Sequence, residues 1–388
     1  MSRPLDASEE LRKLADRGLL RSLRAHPAAG GKFLRDGRSV LNFSSNDYLN
    51  LAGDERLKAA AIAAVGELGC SAAASRLMSG HLDLHERLEG RLAAWVGQDA
   101  ALVFGSGFLT NLGVLTTLAR RGDTILADRL NHASLVDGAR LSGARLLRYR
   151  HGDAGHLAEL LGAAPAGRRI IVTDSVFSMD GDVAPLAELA DLARRHEALL
   201  VVDEAHALGV FGHGGSGLCG LLPGVRPDVI VGTLSKALGG YGGFAACSEA
   251  IRQLLVNRAR SFVFSTALPP ACLAPAMAAL DVVGESDQPA RTLLKRAERF
   301  RALLTDAGLD VAGSRCQIVP VLVGGNDAAM ALSRRLEAEG ILAVAVRPPT
   351  VPAGTARLRM SITLAHEPAD LQFAAEKLIV AARELGIS

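Results

Sequence analysis

Through its middle the chain alternates short apolar runs with segments whose apolar residues recur at helical spacing. The runs AALVF (100–104), TILA (124–127), RLLRY (145–149), RIIVT (169–173), ALLVV (198–202) and DVIVG (228–232) predict strands buried on both faces. Helix-like segments lie between most of them. The clearest places Leu186, Leu189, Ala190 and Ala193 at i, i+3, i+4 and i+7, ends near His196, and gives way to the next strand at Ala198. Such alternation predicts an α/β fold, a mostly parallel sheet covered by helices on both faces. From about residue 275 the texture changes. A helix over about 288–307, a strand at IVPVLV (318–323), a helix over about 327–339, two further strand-like runs and a closing helix predict a smaller α+β lobe. The expected organisation is an N-terminal helix and arm (1–45), a large domain (46–275) and a C-terminal domain (276–388).

Composition narrows the functional classes. The chain has 388 residues, 49% of them hydrophobic, enough for a sizeable core. Lys plus Arg number 43 against 41 acids, a net charge of +2, so nothing electrostatic points to nucleic acid or an anionic membrane. A local basic patch for a phosphorylated ligand stays compatible with that balance. Five cysteines (Cys70, Cys219, Cys247, Cys272, Cys316) form no CxxC pair, and buried apolar thiols in a reduced, cytosolic protein are expected. The start, MSRPLDASEELRKLADRGLLRSLR, predicts a charged amphipathic helix without the apolar centre of a signal peptide. No apolar run reaches membrane-spanning length, and a soluble protein is expected.

In parallel sheets, ligands bind beyond the carboxyl ends of the strands, so the polar residues that follow each apolar run are the candidates. Asp203 ends the run ALLVVD, where a buried carboxylate needs a cationic or hydrogen-bonding partner. A protonated pyridine nitrogen would serve; a helix cap or a structural ion pair would too. His206 follows three residues later, facing the same site or simply the surface. In DVIVGTLSKALGGYGG, Lys236 comes just after a strand among Thr233, Ser235, Gly239 and Gly240. Partial desolvation there would lower its pKa and make the amine a competent imine former, against the plainer reading of a surface lysine. In ALVFGSGFLTN, Ser106, Gly107 and Phe108 sit where a strand gives way to a helix, a natural phosphate cradle or an ordinary turn. His132, in ADRLNHASLVDGARL, opens a helix after a strand, suited either to stack on a cofactor ring and donate a proton or to cap that helix.

Other motifs lead nowhere. DEAH (203–206) resembles a helicase tetrad, but no GxxxxGK[ST] loop accompanies it. There is no HExxH and no GxSxG. His81 and His85 are spaced i, i+4, yet without a third ligand they predict a polar helix face and no metal site.

Together these stretches resemble the α-oxoamine synthase family of pyridoxal-phosphate (PLP) enzymes, from FSSNDYL (43–49) to TARLRMSIT (355–363). NHASLVDGARLSGA, SVFSMDGDVAPL (175–186), FSTALPPA (264–271) and above all RPPTVPAGTARLR (347–359) carry the likeness. The resemblance implies the aspartate-aminotransferase-like fold (fold type I), a homodimer with active sites at the subunit interface, and PLP as cofactor. It implies that Lys236 holds the cofactor as a Schiff base, Asp203 faces the pyridine nitrogen and His132 stacks on the ring. Ser178 and His206 would contact the phenolic oxygen. Ser106, Gly107, Phe108 and Thr233 would hold the phosphate, with Thr266 reaching in from the neighbouring subunit. Asn46 and Arg359 would hold the amino-acid carboxylate. Thr350 would bind substrate, and an N-terminal arginine, Arg21 or Arg24, would meet the acyl group.

The activity so implied is a decarboxylative condensation of an amino acid with an acyl thioester. RPPTVPAGTARLR favours L-alanine with a pimeloyl group carried on CoA or on acyl-carrier protein. The sister pairings are glycine with acetyl-CoA or succinyl-CoA, and serine with a long acyl-CoA. A non-catalytic partner subunit is a further reading. The chain departs from the family in three places. Ala72, Ala73 and Ala74 replace a glycine-rich turn before SRL, Asn50 replaces a glycine after NDYL, and GGYGG follows Lys236.

Overall fold

The computed structural model describes residues 5–27 and 30–387. They fall into two compact units, one of residues 46–178 and 182–294, the other of residues up to 45, 179–181 and 295 onward. The boundary expected near residue 275 lies inside the helix Pro270–Glu285, whose apolar face packs on the helix Glu55–Leu68 and keeps it with the larger unit.

The larger unit is built on a seven-stranded sheet. Its strands are β1 (Ala100–Phe104), β2 (Thr124–Asp128), β3 (Arg145–Tyr149), β4 (Arg169–Asp174), β5 (Leu199–Asp203), β6 (Val229–Thr233) and β7 (Gly243–Cys247). Their order across the sheet is β1-β7-β6-β5-β4-β2-β3, with β7 antiparallel to both neighbours and the other pairings parallel. The six strands expected from apolar runs are all present. The seventh, β7, is short and built of small residues behind a glycine-rich loop, so its apolar signal is weak. β3 is not buried on both faces as expected: it is an edge strand, and only Tyr149 is fully buried along it.

Helices cover the sheet because their apolar stripes match its Val, Ile and Leu faces. Val114, Leu115 and Leu118 of Gly107–Leu118, with Leu135 and Ala139 of Ala133–Leu141, pack against Leu102, Ile125, Val172, Val201 and Val231. Each such leucine contributes roughly 1.5–3 kcal/mol by leaving water. Truncating Leu115 to alanine would cost about 2–5 kcal/mol through the cavity left behind.

The smaller unit carries two three-stranded sheets. In one, Lys32–Arg35 and Arg38–Asn42 form a hairpin, and Ile341–Leu342 pairs parallel with the second strand. In the other, Ala356–Ser361 lies between Ile318–Gly324 and Ala345–Val346, antiparallel to both. Phe43 stacks on His366 at 4.3 Å and on Phe300 at 5.7 Å between ring centroids. The N-terminal helix is shorter than expected, spanning only Ala7–Asp16, because Gly18 at φ 63° turns the chain out of the helix. The first four residues of that reading, and residues 28–29 of the arm, lie outside the described residues.

Two further expectations are corrected. His81 precedes the helix Asp83–Val96, and His85 is buried rather than on a polar face: its Nδ1 accepts from Leu82 N (3.1 Å) and caps the helix start. Burial lowers its pKa to about 3. Cys70 is exposed, not buried, while Cys219, Cys247 and Cys316 are buried. The departures at Ala73 and Asn50 also gain a physical reading. Both residues sit at positive φ, 60° and 57°, where glycine is unstrained and alanine costs roughly 1–2 kcal/mol. No described helix is long and apolar enough to cross a membrane.

Candidate active site

The carboxyl ends of the parallel strands converge on one edge, and the register sets Asp174 of β4 beside Asp203 of β5. Asp203 is buried, and both of its oxygens accept hydrogen bonds. Oδ2 takes one from Asn111 Nδ2 (2.7 Å) and Oδ1 one from Ala205 N (2.9 Å). Asn111 lies on the Gly107–Leu118 helix, and its Nδ2 also donates to Ser134 Oγ (2.9 Å). Its Oδ1 is equally buried and accepts from no described residue, a deficit worth about 1–3 kcal/mol. His132 caps the helix Ala133–Leu141. Its backbone N–H donates to Asp174 Oδ2 (2.9 Å), and its Nδ1 lies 2.7 Å from Ser134 Oγ. The ring keeps an exposed face, yet the solvent lost around the rest of it lowers its pKa; Asp203 opposes that shift and Lys236 adds to it. Burial, then the Asp203 charge, raises Asp174 well above the usual carboxylate range.

Lys236 follows β6 and is half-buried, its Nζ 2.8 Å from His206 Nε2. His206 is buried in the turn after β5, not at the surface, and its Nδ1 lies 2.7 Å from the hydroxyl of the fully buried Tyr48. That hydroxyl donates to Asn46 Oδ1 (3.2 Å). With the tyrosine proton so placed, Nδ1–H donates to Tyr48 and the Nε2 lone pair receives an N–H of Lys236. Tyr48 lies inside the quoted NDYL stretch, but nothing in the sequence sets it apart from a core aromatic.

A third cluster forms where β1 and β6 end. Ser106 caps the helix Gly107–Leu118, accepting from Leu109 N through Oγ (3.2 Å) and from Thr110 N through its carbonyl (2.9 Å). The first-turn N–H groups of Gly107 and Phe108 have no intrahelical acceptor, the kind of donors an anion uses at a helix start. Thr233 Oγ1 lies 2.8 Å from Ser235 Oγ and donates to Gly242 O (2.9 Å). A Cβ on Gly243 would stand 2.5 Å from Gly107 N, so only glycine lets the Ser106–Gly107 turn settle on β7. The Phe108 ring meets His132 edge-on at 6.5 Å, which ties this cluster to the first.

The remaining candidates lie on other elements. Ser178 follows β4 beyond the bridge between Val176 and Val183. Thr266 is exposed, bridges to Ser75, and rims a small cavity that also touches Gly105. In the smaller unit, Arg359 Nη1 donates to Ser361 Oγ (2.8 Å) on the strand Ala356–Ser361. Arg21 Nη2 donates to Thr350 Oγ1 (3.1 Å), whereas Arg24 pairs with Glu337.

Two charge clusters at the same sheet, one half-buried and one fully buried, were not anticipated. His151, after β3, lies between Asp128 (Nδ1 to Oδ1, 2.9 Å) and Asp182 (Nε2 to Oδ2, 2.7 Å). Burial alone would lower its pKa, but the hydrogen bonds and charge of the two carboxylates prevail and raise it to about 10. Glu204 is fully buried beside Leu218 N (2.9 Å) and Cys219 N (3.3 Å). Burial pushes its carboxyl up to about 7 against those N–H groups.

Known proteins match this chain along its length. The family described as aminotransferase class I and II matches residues 38–378. The 8-amino-7-oxononanoate synthase of Pelobacter propionicus is 49% identical over 386 residues, covering 98% of each chain. That of Geobacter sulfurreducens is 49% identical over 383 residues, covering 97% of this chain and 98% of its own. Among solved structures, Sphingomonas wittichii serine palmitoyltransferase superposes with a TM-score of 0.91 at 30% identity, covering 98% and 97% of the two chains. A structure of SPT with its PLP internal aldimine superposes with a TM-score of 0.92 at 29% identity, covering 98% of each chain. The 8-amino-7-oxononanoate synthase of Francisella tularensis gives a TM-score of 0.77 at 29% identity, covering 89% of this chain and 98% of that one. The chain belongs to the aminotransferase class I and II family and, within it, groups with the 8-amino-7-oxononanoate synthases.

Proposed function

We propose that the chain is a PLP-dependent acyltransferase of biotin synthesis, condensing L-alanine with a pimeloyl thioester to give 8-amino-7-oxononanoate, carbon dioxide and free thiol. The observation that carries this reading is the juxtaposition on one sheet edge of an amine held by histidine, Lys236 with His206 at 2.8 Å, and an acceptor-only buried carboxylate, Asp203. The neighbouring cluster of Ser106, Gly107, Phe108 and Thr233 supplies N–H and hydroxyl donors of the kind a phosphate needs. These residues fit the cofactor. Lys236 would hold its aldehyde carbon, Asp203 its ring nitrogen, and His132, Ser178 and His206 its ring and phenolic oxygen, with Thr266 supplied by a neighbouring subunit. Bound there, the cofactor supplies an electron sink for negative charge on the amino-acid α-carbon.

The chain's own residues do the rest. Lys236 Nζ takes the α-proton of alanine, and His206 Nε2 orients that amine. Asp203 keeps a proton on the ring nitrogen, the electrostatic condition for stabilising the carbanion. His132 donates a proton after carbon dioxide leaves. Asn46 and the Arg359 guanidinium bind the alanine carboxylate. Arg21 with Thr350 faces the acyl group, because Arg24 is already neutralised by Glu337.

A homodimer in the cytoplasm completes the reading. Exposed Leu77, Met78 and Phe264 flank the Ser75–Thr266 bridge and suit a covering subunit, and the free cysteines suit a reducing compartment. Thiol release by the cofactor-loaded protein tests the substrates. Alanine with pimeloyl-CoA should exceed glycine with acetyl-CoA or succinyl-CoA and serine with a long acyl-CoA. Preference for another pair would move the protein to a sister activity. Lys236→Ala should abolish turnover with every pair.

A further inference from the structure

We propose that Asp203, Asn111, Ser134 and His132 form a hydrogen-bond relay in which the charge on Asp203 decides which nitrogen of His132 carries its proton. The relay is a property of the chain itself. Its catalytic consequence rests on the reading above.

Asp203 accepts at both oxygens, from Asn111 Nδ2 at 2.7 Å and from Ala205 N at 2.9 Å, as an ionised carboxylate does. That fixes the Asn111 amide, since the flipped side chain would set its carbonyl oxygen against the carboxylate. The two hydrogens of Nδ2 are then consumed, one by Asp203 and one by Ser134 Oγ at 2.9 Å. Ser134 is fully buried, and its hydroxyl, already an acceptor from Asn111, turns its single proton to His132 Nδ1 at 2.7 Å. The Ser134 backbone N–H points to the same nitrogen at 3.3 Å. Nδ1 is therefore a bare acceptor, and a neutral His132 carries its proton on Nε2.

The Asn111 oxygen supports this direction. It is buried with no partner among the described residues, so the amide is not oriented to satisfy itself. It is oriented by Asp203, from 92 positions along the chain. The relay also has a defined reverse. If residue 203 becomes a donor, the amide turns over and its oxygen accepts from both residue 203 and Ser134. The serine oxygen then accepts from Nδ1–H at the expense of the long 3.3 Å contact from the Ser134 backbone N–H, and Nε2 becomes the bare nitrogen. Asn111 and Ser134 are thus positioning residues: they hold His132 as a proton donor at Nε2 for as long as Asp203 is charged. In the proposed reaction, the group that keeps a proton on the cofactor ring would also arm the histidine that delivers one.

Histidine-selective ¹⁵N NMR on the full-length chain, with and without PLP, tests the relay. The His132 signals are identified by their loss in His132→Asn. Wild type should show a protonated Nε2 and a bare Nδ1; the opposite tautomer overturns the relay without any variant. Asp203→Asn should reverse the tautomer, and Ser134→Ala in the same chain should remove that reversal. An unreversed tautomer in folded Asp203→Asn also overturns it. If Asp203→Asn does not fold, Ser134→Ala alone decides: with only the 3.3 Å backbone donor left at Nδ1, a mixture of tautomers supports the relay and an unchanged single tautomer refutes it. In the loaded protein, Ser134→Ala should lower kcat about tenfold with little change in the alanine KM, and Ser134→Thr should restore it. A chain with the expected tautomers but no PLP binding would sink the proposed function and leave the relay standing.

Discussion

His132 and His151 follow neighbouring strands of one sheet edge, β2 and β3, yet the protein sets them to opposite states. His132 meets a serine hydroxyl and keeps a pKa below the ordinary value, so it is a neutral ring with one exposed face. His151 meets two carboxylates and keeps its proton to about pH 10, with its ring set edge-on to Phe177 at 4.4 Å. The difference lies entirely in the partners. A histidine offered a hydroxyl can exchange a proton near neutrality, whereas one held between carboxylates is a fixed cation. The first arrangement suits chemistry and the second joins the ends of β2, β3 and the loop at Asp182.

The largest effects should separate the two roles. His132→Asn should lower kcat by about 10²–10⁴-fold, as loss of a general acid does, while asparagine keeps the helix cap and stability moves by less than about 0.5 kcal/mol. A large loss of stability with kcat preserved would reverse the contrast. His151→Gln should do the opposite, leaving Asp128 and Asp182 facing each other uncompensated. We expect about 3 kcal/mol of lost stability by urea denaturation, with activity per folded molecule retained.

A smaller effect follows from linkage. The folded pKa of His151 is raised from 6.5 to about 10, so the folded state binds the extra proton in that window. Its contribution is fully present below pH 6.5 and is lost as pH rises through about 10. The difference in unfolding free energy between wild type and His151→Gln should therefore shrink across that range. The difference also removes the background from Glu204, whose carboxyl is raised to about 7 and whose own destabilising ionisation falls lower. A difference flat in pH would contradict the assigned charge state. Smallest of all, Asp182→Asn leaves Asp128 in place and should cost about 1–2 kcal/mol while narrowing the same pH window.

Much of this architecture was legible in the sequence. Parallel strands buried on both faces are continuous apolar runs, which marked five of the six parallel strands, and the edge strand β3 was marked by its Leu146, Leu147 and Tyr149. The polar residues at their carboxyl ends singled out Asp203, His132 and Lys236, and the structure brings all three to one edge. What escaped is what depends on packing across the sequence. Asn111 reads as one polar residue in an apolar helix, and Ser134 and Tyr48 as ordinary cap and core residues, until the fold sets them against Asp203, His132 and His206. The bridge from Asp128 through His151 to Asp182 spans three loops and has no local signature. β7 was missed because GFAAC is short and small, and the N-terminal helix was overextended because its helical periodicity ran past Gly18.

The central claim is that Lys236, held by His206, is the cofactor's attachment point. Borohydride reduction of the PLP-loaded protein, followed by peptide mass spectrometry, tests it directly. The account predicts a pyridoxyl adduct on Lys236 that is absent from Lys236→Ala. An adduct on another lysine, or none, would contradict it.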